Sequence, residues 1–141
     1  MVMPMHLSKE RLGYQIHTNR ELGMMLRGEK PLAIFSDVEG SFPAAVVRYL
    51  RMFDRHVLAG TLIRREHRET IEIRGELRTL LTVLYALPEE ARRIHAMLDL
   101  RRNLSAWTKE HERREGALLG YTDTQNDAWI ASRFSDQDGA P

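Results

Sequence analysis

The chain has 141 residues, a formal net charge of +1 and no cysteine. This length suffices for one domain with its own apolar core, and the lack of cysteine excludes disulfides, thiolate catalysis and cysteine-containing metal centres. The small net charge argues against a protein built chiefly to hold a nucleic-acid backbone, because such domains are usually basic overall.

Neither a secretion signal nor a membrane span is visible in the sequence. Residues 1–6 lack a basic start followed by an apolar core, and no run of about 18 uncharged apolar residues occurs. We therefore expect a cytoplasmic protein without a membrane partner. Nearly all of the positive charge is arginine, which suits bidentate pairing with carboxylates or phosphates but would also follow from the codon usage of a GC-rich genome.

The first part of the chain predicts two helices and one strand. Residues 1–17 show no clean period, and we expect a poorly ordered arm or a short helix there. The capping box Thr18–Glu21 predicts the start of a short helix that ends at Gly28. A brief apolar run, Leu32–Phe35, is typical of a buried strand, and apolar residues at three- and four-residue steps predict an amphipathic helix over residues 43–60.

Three strand candidates come next, separated by a polar stretch at residues 67–69 and by a turn at residues 75–76. They are Thr61–Glu66, Thr70–Arg74 and Leu77–Ala86. We expect these strands to form an antiparallel meander. The third candidate is apolar on both faces, which predicts the central position in the sheet.

Helices are predicted for the remainder of the chain. Pro88–Glu90 has the proline and the acidic residues typical of a helix start. The helical spacing of apolar residues is interrupted at residues 101–103. Residues 88–119 therefore form either one long helix or two, with Ser105 as the cap of the second. After Gly120, a capping pair predicts a last helix that reaches residue 134, followed by a flexible acidic tail over residues 135–141.

Together these elements predict an α+β fold. We expect a small, mainly antiparallel sheet of three or four strands, covered on one face by helices, together with a C-terminal helical hairpin. Residues 18–134 are expected to form a single domain.

No complete metal or cofactor motif occurs in the sequence. His111 and Glu115 match part of the helical zinc-protease pattern, in which a second histidine would stand in the place of Glu115. Asp123 and Asp127 are too few for an EF-hand calcium loop. The glycines form neither a P-loop nor a dinucleotide-binding fingerprint. We therefore expect no metal and no cofactor.

A polar segment after the first strand is a weaker candidate site. Ser36, Asp37 and Glu39 follow a strand and precede a helix, where α/β enzymes often hold catalytic groups. The same residue types are also those that turns and helix caps use. We favour a polar turn over residues 36–40.

The strongest basic concentration lies in residues 61–78. Its arginines are Arg64, Arg65, Arg68, Arg74 and Arg78. They would suit a phosphate backbone if Arg64, Arg65 and Arg68 projected from one surface with the glutamates turned away. Four glutamates interleave with these arginines, and the segment has no aromatic residue for base stacking. We therefore favour cross-strand ion pairs over nucleic-acid binding.

The segment Gly116–Ile130 is the most specialised part of the chain, with two glycines, two large aromatic residues and a polar cluster. Its candidate ligand-binding residues are Tyr121, Asp123, Gln125, Asn126, Asp127 and Trp129. A structural role is the alternative that we favour. In that interpretation Gly120 ends one helix, Thr124 and Asp127 cap the next, and Asn126 bonds to the preceding helix.

This segment, with Asn19–Phe35 and Tyr85–Ile94, resembles a group of short bacterial proteins of uncharacterised function. The resemblance implies a bacterial origin and a single domain. It implies no activity, cofactor or catalytic residue.

Three hypotheses for function follow. The leading one is a non-enzymatic cytoplasmic protein that contacts another protein in a regulatory or inhibitory role, because no nucleophile–base pair or complete motif is apparent. The second is a nucleic-acid-binding module that uses the arginine-rich hairpin at residues 61–78. The third is an enzyme or small-ligand binder that uses the polar and aromatic corner at residues 121–129. The oligomeric state does not follow from the sequence.

Overall fold

A computed structural model describes residues 17–102 and 106–138. The fold is α+β, as predicted, and the described chain contains five α-helices and three strands. They are α1 (Glu21–Leu26), β1 (Leu32–Val38), α2 (Ala44–Leu58), β2 (Ile63–Ile73), β3 (Glu76–Ala86), α3 (Arg92–Arg101), α4 (Lys109–Leu118) and α5 (Asp123–Asp138), with a 3₁₀ turn at Pro88–Glu90. Of the predicted arm over residues 1–17, residues 1–16 lie outside the described residues.

The three strands form one antiparallel sheet in the order β1-β3-β2. The prediction that the third strand is central is therefore confirmed. Strand β3 is buried from Thr82 to Ala86, and both of its neighbours pair with this end, so that Ala86 lies opposite Leu32 on one side and Ile63 on the other.

The predicted three-strand meander over residues 61–86 is wrong, because residues 61–66 and 70–74 contribute to one continuous strand, β2. The polar residues 67–69 lie within this strand instead of forming a turn. A strand at the edge of a sheet is often polar on both faces, so its polarity resembles that of a loop. The turn between β2 and β3 is formed by Arg74 and Gly75, which both have positive φ angles, of 53° and 82°.

Strand β1 also extends further than predicted, through Val38. Ser36 and Asp37 are therefore strand residues that pair with Thr82 and Leu81 of β3. The polar turn predicted over residues 36–40 is therefore limited to residues 39–40.

Helices cover both faces of the buried part of the sheet, whereas one covered face was expected. On the first face, β1 and β3 pack against α3, α4 and α5; this core includes Leu32, Ile34, Leu84, Ile94, Met97, Trp129 and Phe134. On the second face, the sheet packs against α1 and α2; this core includes Leu22, Met25, Ala33, Phe53, Val83 and Tyr85. A central strand that is apolar on both sides requires two covering layers, which accounts for this arrangement.

The helix ends differ from the predictions in their capping residues. Helix α1 begins after Arg20, with no side-chain cap from Thr18. The described part of residues 88–119 contains two α-helices, α3 and α4, and α4 is capped by Thr108, whose hydroxyl accepts a hydrogen bond from the His111 N–H. The predicted cap Ser105 lies outside the described residues. None of the helices in the described ranges is long and apolar enough to cross a bilayer.

The C-terminal helical hairpin is present, formed by α4 and α5 around Gly120, whose φ is 96°. The capping pair of α5 is Thr122 with Gln125, two residues earlier than the expected pair Thr124 with Asp127. Helix α5 continues through Asp138, so residues 135–138 are helical where a flexible tail was predicted.

Candidate functional site

Most of the corner at residues 121–129 is engaged in packing and capping. Tyr121 is buried, and its hydroxyl accepts a hydrogen bond of 2.9 Å from the backbone N–H of His17. Gln125 accepts from the Thr122 N–H at 2.8 Å in the capping box. Asp123 is exposed at the start of α5.

The remaining corner residues tie α5 to α4. Asn126 is fully buried and donates from Nδ2 to the Arg113 carbonyl at 3.2 Å, which confirms the predicted bond to the preceding helix. Asp127 pairs with the Arg113 guanidinium at 2.5 Å, and the Trp129 indole donates to Oε1 of the buried Glu112 at 2.6 Å. Asn126, Asp127 and Trp129 therefore hold the two helices of the hairpin together, and Gln125 caps α5.

The arginines of the 61–78 hairpin do not share one surface. Arg64 and Arg68 occupy alternate positions on one face of β2, and Arg65 projects from the other face. Arg74 lies in the turn, and Arg78 is 3.5 Å from Glu76. The arrangement that phosphate-backbone binding would require, with all three strand arginines together, is not met.

Carboxylates also surround the two arginines on the α2 side of β2. Arg64 donates to Asp54 at 2.8 Å and to Glu66 at 2.5 Å. Arg68 donates to Glu39 at 2.5 Å and to Glu66 at 2.9 Å. Ion pairs therefore engage both arginines, but those described run along β2 and to Asp54 and Glu39, not across to β3 as expected.

A polar cleft lies on the first sheet face, beyond the end of the apolar core. It has a volume of about 190 Å³ and is lined by His67, Glu69, Thr82, Leu98, Arg101 and Arg102. His67 is the direct cross-strand partner of Thr82, which on its other side is the partner of Ser36. Directly opposed residues of an antiparallel sheet project from the same face, so these three residues form a polar row across the sheet.

Arg101 closes the cleft from the last turn of α3. Its Nη1 atom lies 3.4 Å from the Ser36 hydroxyl, which is itself 3.0 Å from the Thr82 hydroxyl. Its Nη2 atom lies 3.4 Å from Oε2 of Glu115, and its Nε is buried without a hydrogen-bond partner in the described structure. Arg101 is thus held in place, but its donor groups are only partly used.

Arg101 and Glu115 form a buried pair in which burial disfavours the charge on each side chain. Burial raises the pKa of Glu115 to about 8, although the nearby Arg101 favours the ionised form and partly offsets this rise. Burial also lowers the pKa of Arg101 from its usual value, and Glu115 again offsets part of that shift. Burial thus favours the neutral form of Glu115, which weakens its pairing with the guanidinium.

The cleft contains hydroxyls, an imidazole and a carboxylate, but they are not arranged as a nucleophile with its base. His67 makes no hydrogen bond to the hydroxyl of Thr82 or Ser36 within the described chain, whereas the two hydroxyls bond to each other. General-base catalysis requires hydrogen-bond reach between base and nucleophile, directly or through one water.

A second polar cluster is enclosed between β1, α1 and the hairpin corner. Lys30 is 2 % exposed and donates from Nζ to Nδ1 of His17 at 2.8 Å and to the Leu119 carbonyl at 2.6 Å. Burial lowers the pKa of Lys30 to about 7, with Glu21 opposing the shift. Burial and the neighbouring Lys30 lower the pKa of His17 to about 3, so the neutral imidazole is the acceptor.

A lysine with so low a pKa resembles a catalytic amine, but the space beside Lys30 does not admit a substrate. The adjoining void measures about 10 Å³, which is close to the room needed for one water molecule. His17 stacks on Tyr121 with ring centroids 3.7 Å apart and closes the cluster on one side. We assign Lys30 a structural role that joins residue 17 to the helical hairpin.

In the ranges that the structure describes, no three histidine, aspartate or glutamate residues are grouped so as to hold a metal ion. Comparison of the chain with family models, with curated proteins and with solved structures finds no match. The resemblance to short bacterial proteins remains a prediction.

The cleft is not evident from the sequence, although Ser36, beside it, belongs to a candidate polar segment. Thr82 offered one signal, as the hydroxyl residue in the otherwise apolar run from Leu80 to Leu84. Arg101 lies at the point where the apolar phase of the helix falters, which was interpreted only as a helix boundary. The proximity of these residues depends on tertiary packing.

Proposed function

We propose that the protein is a non-enzymatic binding protein whose polar cleft takes a small anion that carries a carboxylate or phosphate group. The observation that carries this proposal is Arg101, a largely buried guanidinium whose Nε has no hydrogen-bond partner in the described structure, beside the Glu115 carboxyl, whose pKa burial raises. A planar guanidinium is the group best suited to bind such anions in two-point fashion.

The composition and size of the cleft support an anion of modest dimensions. Arg101 and Arg102 contribute two positive charges and Glu69 one negative charge, with His67 and Thr82 as additional polar contacts. The volume of about 190 Å³ is below the range of roughly 300–1,000 Å³ that is usual for drug-sized ligands. A nucleotide or a peptide segment is therefore too large to be enclosed.

Calorimetric titration with inorganic phosphate and with acetate tests this proposal. We expect the wild-type protein to bind at least one of the two anions, and Arg101→Met to weaken binding by at least about tenfold, which corresponds to roughly 1.4 kcal/mol. Arg92→Met is the matched control, because Arg92 is an exposed arginine of the same helix that pairs with Glu90. Equal binding by both variants, or no binding by the wild type, would refute the assignment.

A second candidate function is regulatory or inhibitory contact with another protein. One observation favours it: β2 is an edge strand of eleven residues, and its residues 65–70 are all exposed. An edge strand presents unpaired backbone N–H and C=O groups to which a partner strand can add. Affinity capture from the native host, with Arg65→Glu as a matched bait, tests it; failure to recover any stoichiometric partner argues against this function.

A further inference from the structure

The outer edge of β2 is open over its whole length in the described chain. The strand pairs with β3 on one side, and the sheet order ends there. The side chains of Arg65 and Glu69 project from the same face of this edge. Within the described residues, Arg65 donates to the backbone carbonyl of Arg64 but has no carboxylate partner, and Glu69 has no ion pair. The edge therefore carries both unused backbone groups and unused charges.

The sequence of β2 is complementary to itself in an antiparallel pair. When two copies of an edge strand pair antiparallel about a twofold axis perpendicular to the sheet, each residue keeps its face. Directly opposed residues must also share a face. These two conditions require that one residue of β2 lies opposite its own copy, because neighbouring residues project from different faces.

The register centred on His67 makes the charges of β2 complementary. It places Arg65 opposite Glu69 of the second copy and Glu66 opposite Arg68 of the second copy, each contact occurring twice by symmetry. It also places Ile63 opposite Ile71 of the second copy. No two like charges are directly opposed among the nine paired residues, 63–71, and opposite-charge cross-strand pairs are favourable.

The neighbouring registers are less favourable. Centring on Arg65, Glu66, Arg68 or Glu69 opposes a charged residue to its own copy, which is destabilising. Centring on Thr70 avoids like charges, but it pairs only residues 67–73 of the strand and brings together one kind of ion pair, Arg68 with Glu72.

We propose that β2 is a dimer interface and that its partner is a second copy of this chain, paired antiparallel with His67 at the twofold axis. The two sheets then join into one antiparallel sheet of six strands. This inference rests on the second proposed function, protein contact, and names the partner. It also brings the two polar clefts together, because His67 and Glu69 line the cleft and Arg65 of the second copy then stands opposite Glu69.

Sedimentation velocity of charge-reversed variants provides the first test. We expect the wild type to form a dimer with twice the chain mass of 16.4 kDa. Arg65→Glu and Glu69→Arg should each weaken dimerisation by at least about tenfold, and the double variant should restore it. Residues four apart on one strand are separated by roughly 13 Å, so a rescue cannot arise within a single chain.

Glu72→Arg serves as the matched control, since Glu72 lies on β2 outside the paired residues 63–71. Its dimerisation should equal that of the wild type in the His67 register, whereas it should be impaired in the Thr70 register. A monomeric wild type, or a double variant that stays as weak as the single ones, overturns the proposal. In that event, capture of a different protein would still support protein contact as a function, so the two failures are distinguishable.

The absence of cysteine from the chain allows a direct second test. Opposed residues of an antiparallel pair have Cβ atoms about 4.5–5.5 Å apart. His67→Cys should therefore give a disulfide-linked dimer rapidly under mild oxidation, and Thr70→Cys should not. Faster crosslinking at position 70 than at position 67, or equally slow crosslinking at both, would overturn the proposed register.

Discussion

Asn126 lies directly against the backbone of Gly116, at the point where α4 and α5 cross. A methyl group placed on Gly116 would stand only 1.8 Å from Oδ1 of Asn126. The same amide donates from Nδ2 to the Arg113 carbonyl at 3.2 Å. The close approach of the two helices thus depends on a residue without a side chain facing a buried amide.

The variant Gly116→Ala should therefore destabilise the protein. Because Asn126 is fully buried and cannot withdraw without losing its hydrogen bond, we expect a loss of about 2–3 kcal/mol in the free energy of unfolding, measured by urea denaturation. Gly23→Ala is the control, since a methyl there meets only the flexible end of Arg27 at 3.4 Å. A Gly116→Ala protein as stable as Gly23→Ala would contradict this view of the helix crossing.

Two glycines with positive φ allow backbone strain to be separated from steric conflict. Gly28 and Gly120 have φ angles of 75° and 96°, but only a methyl on Gly120 would meet a neighbour, Cδ of Pro31, at 2.6 Å. We expect Gly28→Ala to cost about 1 kcal/mol from the left-handed conformation alone. Gly120→Ala should cost at least 1 kcal/mol more by the packing argument. Thermal unfolding of both variants provides the comparison, and equal losses would count against the Pro31 contact.

Glu115 should make stability decrease as pH rises. Burial raises its pKa from 4.5 to about 8, so the folded state holds a proton that the unfolded state releases between these values. This contribution is fully present below about pH 4.5 and is lost as the pH passes 8, with a slope of at most about 1.4 kcal/mol per pH unit.

The variant Glu115→Gln should abolish that slope, because the amide resembles the protonated carboxyl and does not titrate. Relative to the wild type, its unfolding free energy should improve steadily between pH 5 and pH 8, as measured by urea titrations across this range. Glu110→Gln, at an exposed position of the same helix, should show no such trend. A difference between Glu115→Gln and wild type that is independent of pH would disprove the proposed burial of a protonated acid.

Lys30 should have the opposite dependence at higher pH. Its pKa is lowered from 10.5 to about 7, so between these values the unfolded state binds a proton that the folded state lacks. The contribution is fully present above about pH 10.5 and is lost as the pH falls through 7. Lys30→Met should remove this rise in stability between pH 7 and pH 10, whereas Lys109→Met, on the exposed start of α4, should retain it. Chemical denaturation between pH 7 and pH 10 measures this increase in unfolding free energy. If both variants retained the increase, its assignment to Lys30 would be wrong.

Local patterns in the sequence were sufficient for much of the fold. The amphipathic helix predicted over residues 43–60 corresponds to α2, and the strand predicted at residues 77–86 corresponds to the central strand β3. Both carry a clear apolar period or a continuous apolar run, which are signals contained in neighbouring residues. Strand β2 was divided in error because its exposed residues have no such pattern.

The polar cleft could not be predicted in this way. Its hydroxyl pair joins Ser36 and Thr82, which are 46 positions apart, and Arg101 is 65 positions from Ser36. In the sequence, Ser36 and Thr82 are compatible with ordinary strand positions, and Arg101 with the end of a helix. Only the pairing of β1 with β3 and the packing of α3 over the sheet bring them together.

The bonds that enclose Lys30 have a consequence for the order of folding. The Lys30–Leu119 hydrogen bond closes a loop of 89 positions, and the His17–Tyr121 bond closes one of 104 positions. Loops of this length are costly to close before the intervening elements have packed. We therefore expect the contacts of the Lys30 side chain to form after the transition state of folding. Substitutions at Lys30 should then change mainly the rate of unfolding and leave the rate of folding nearly unchanged.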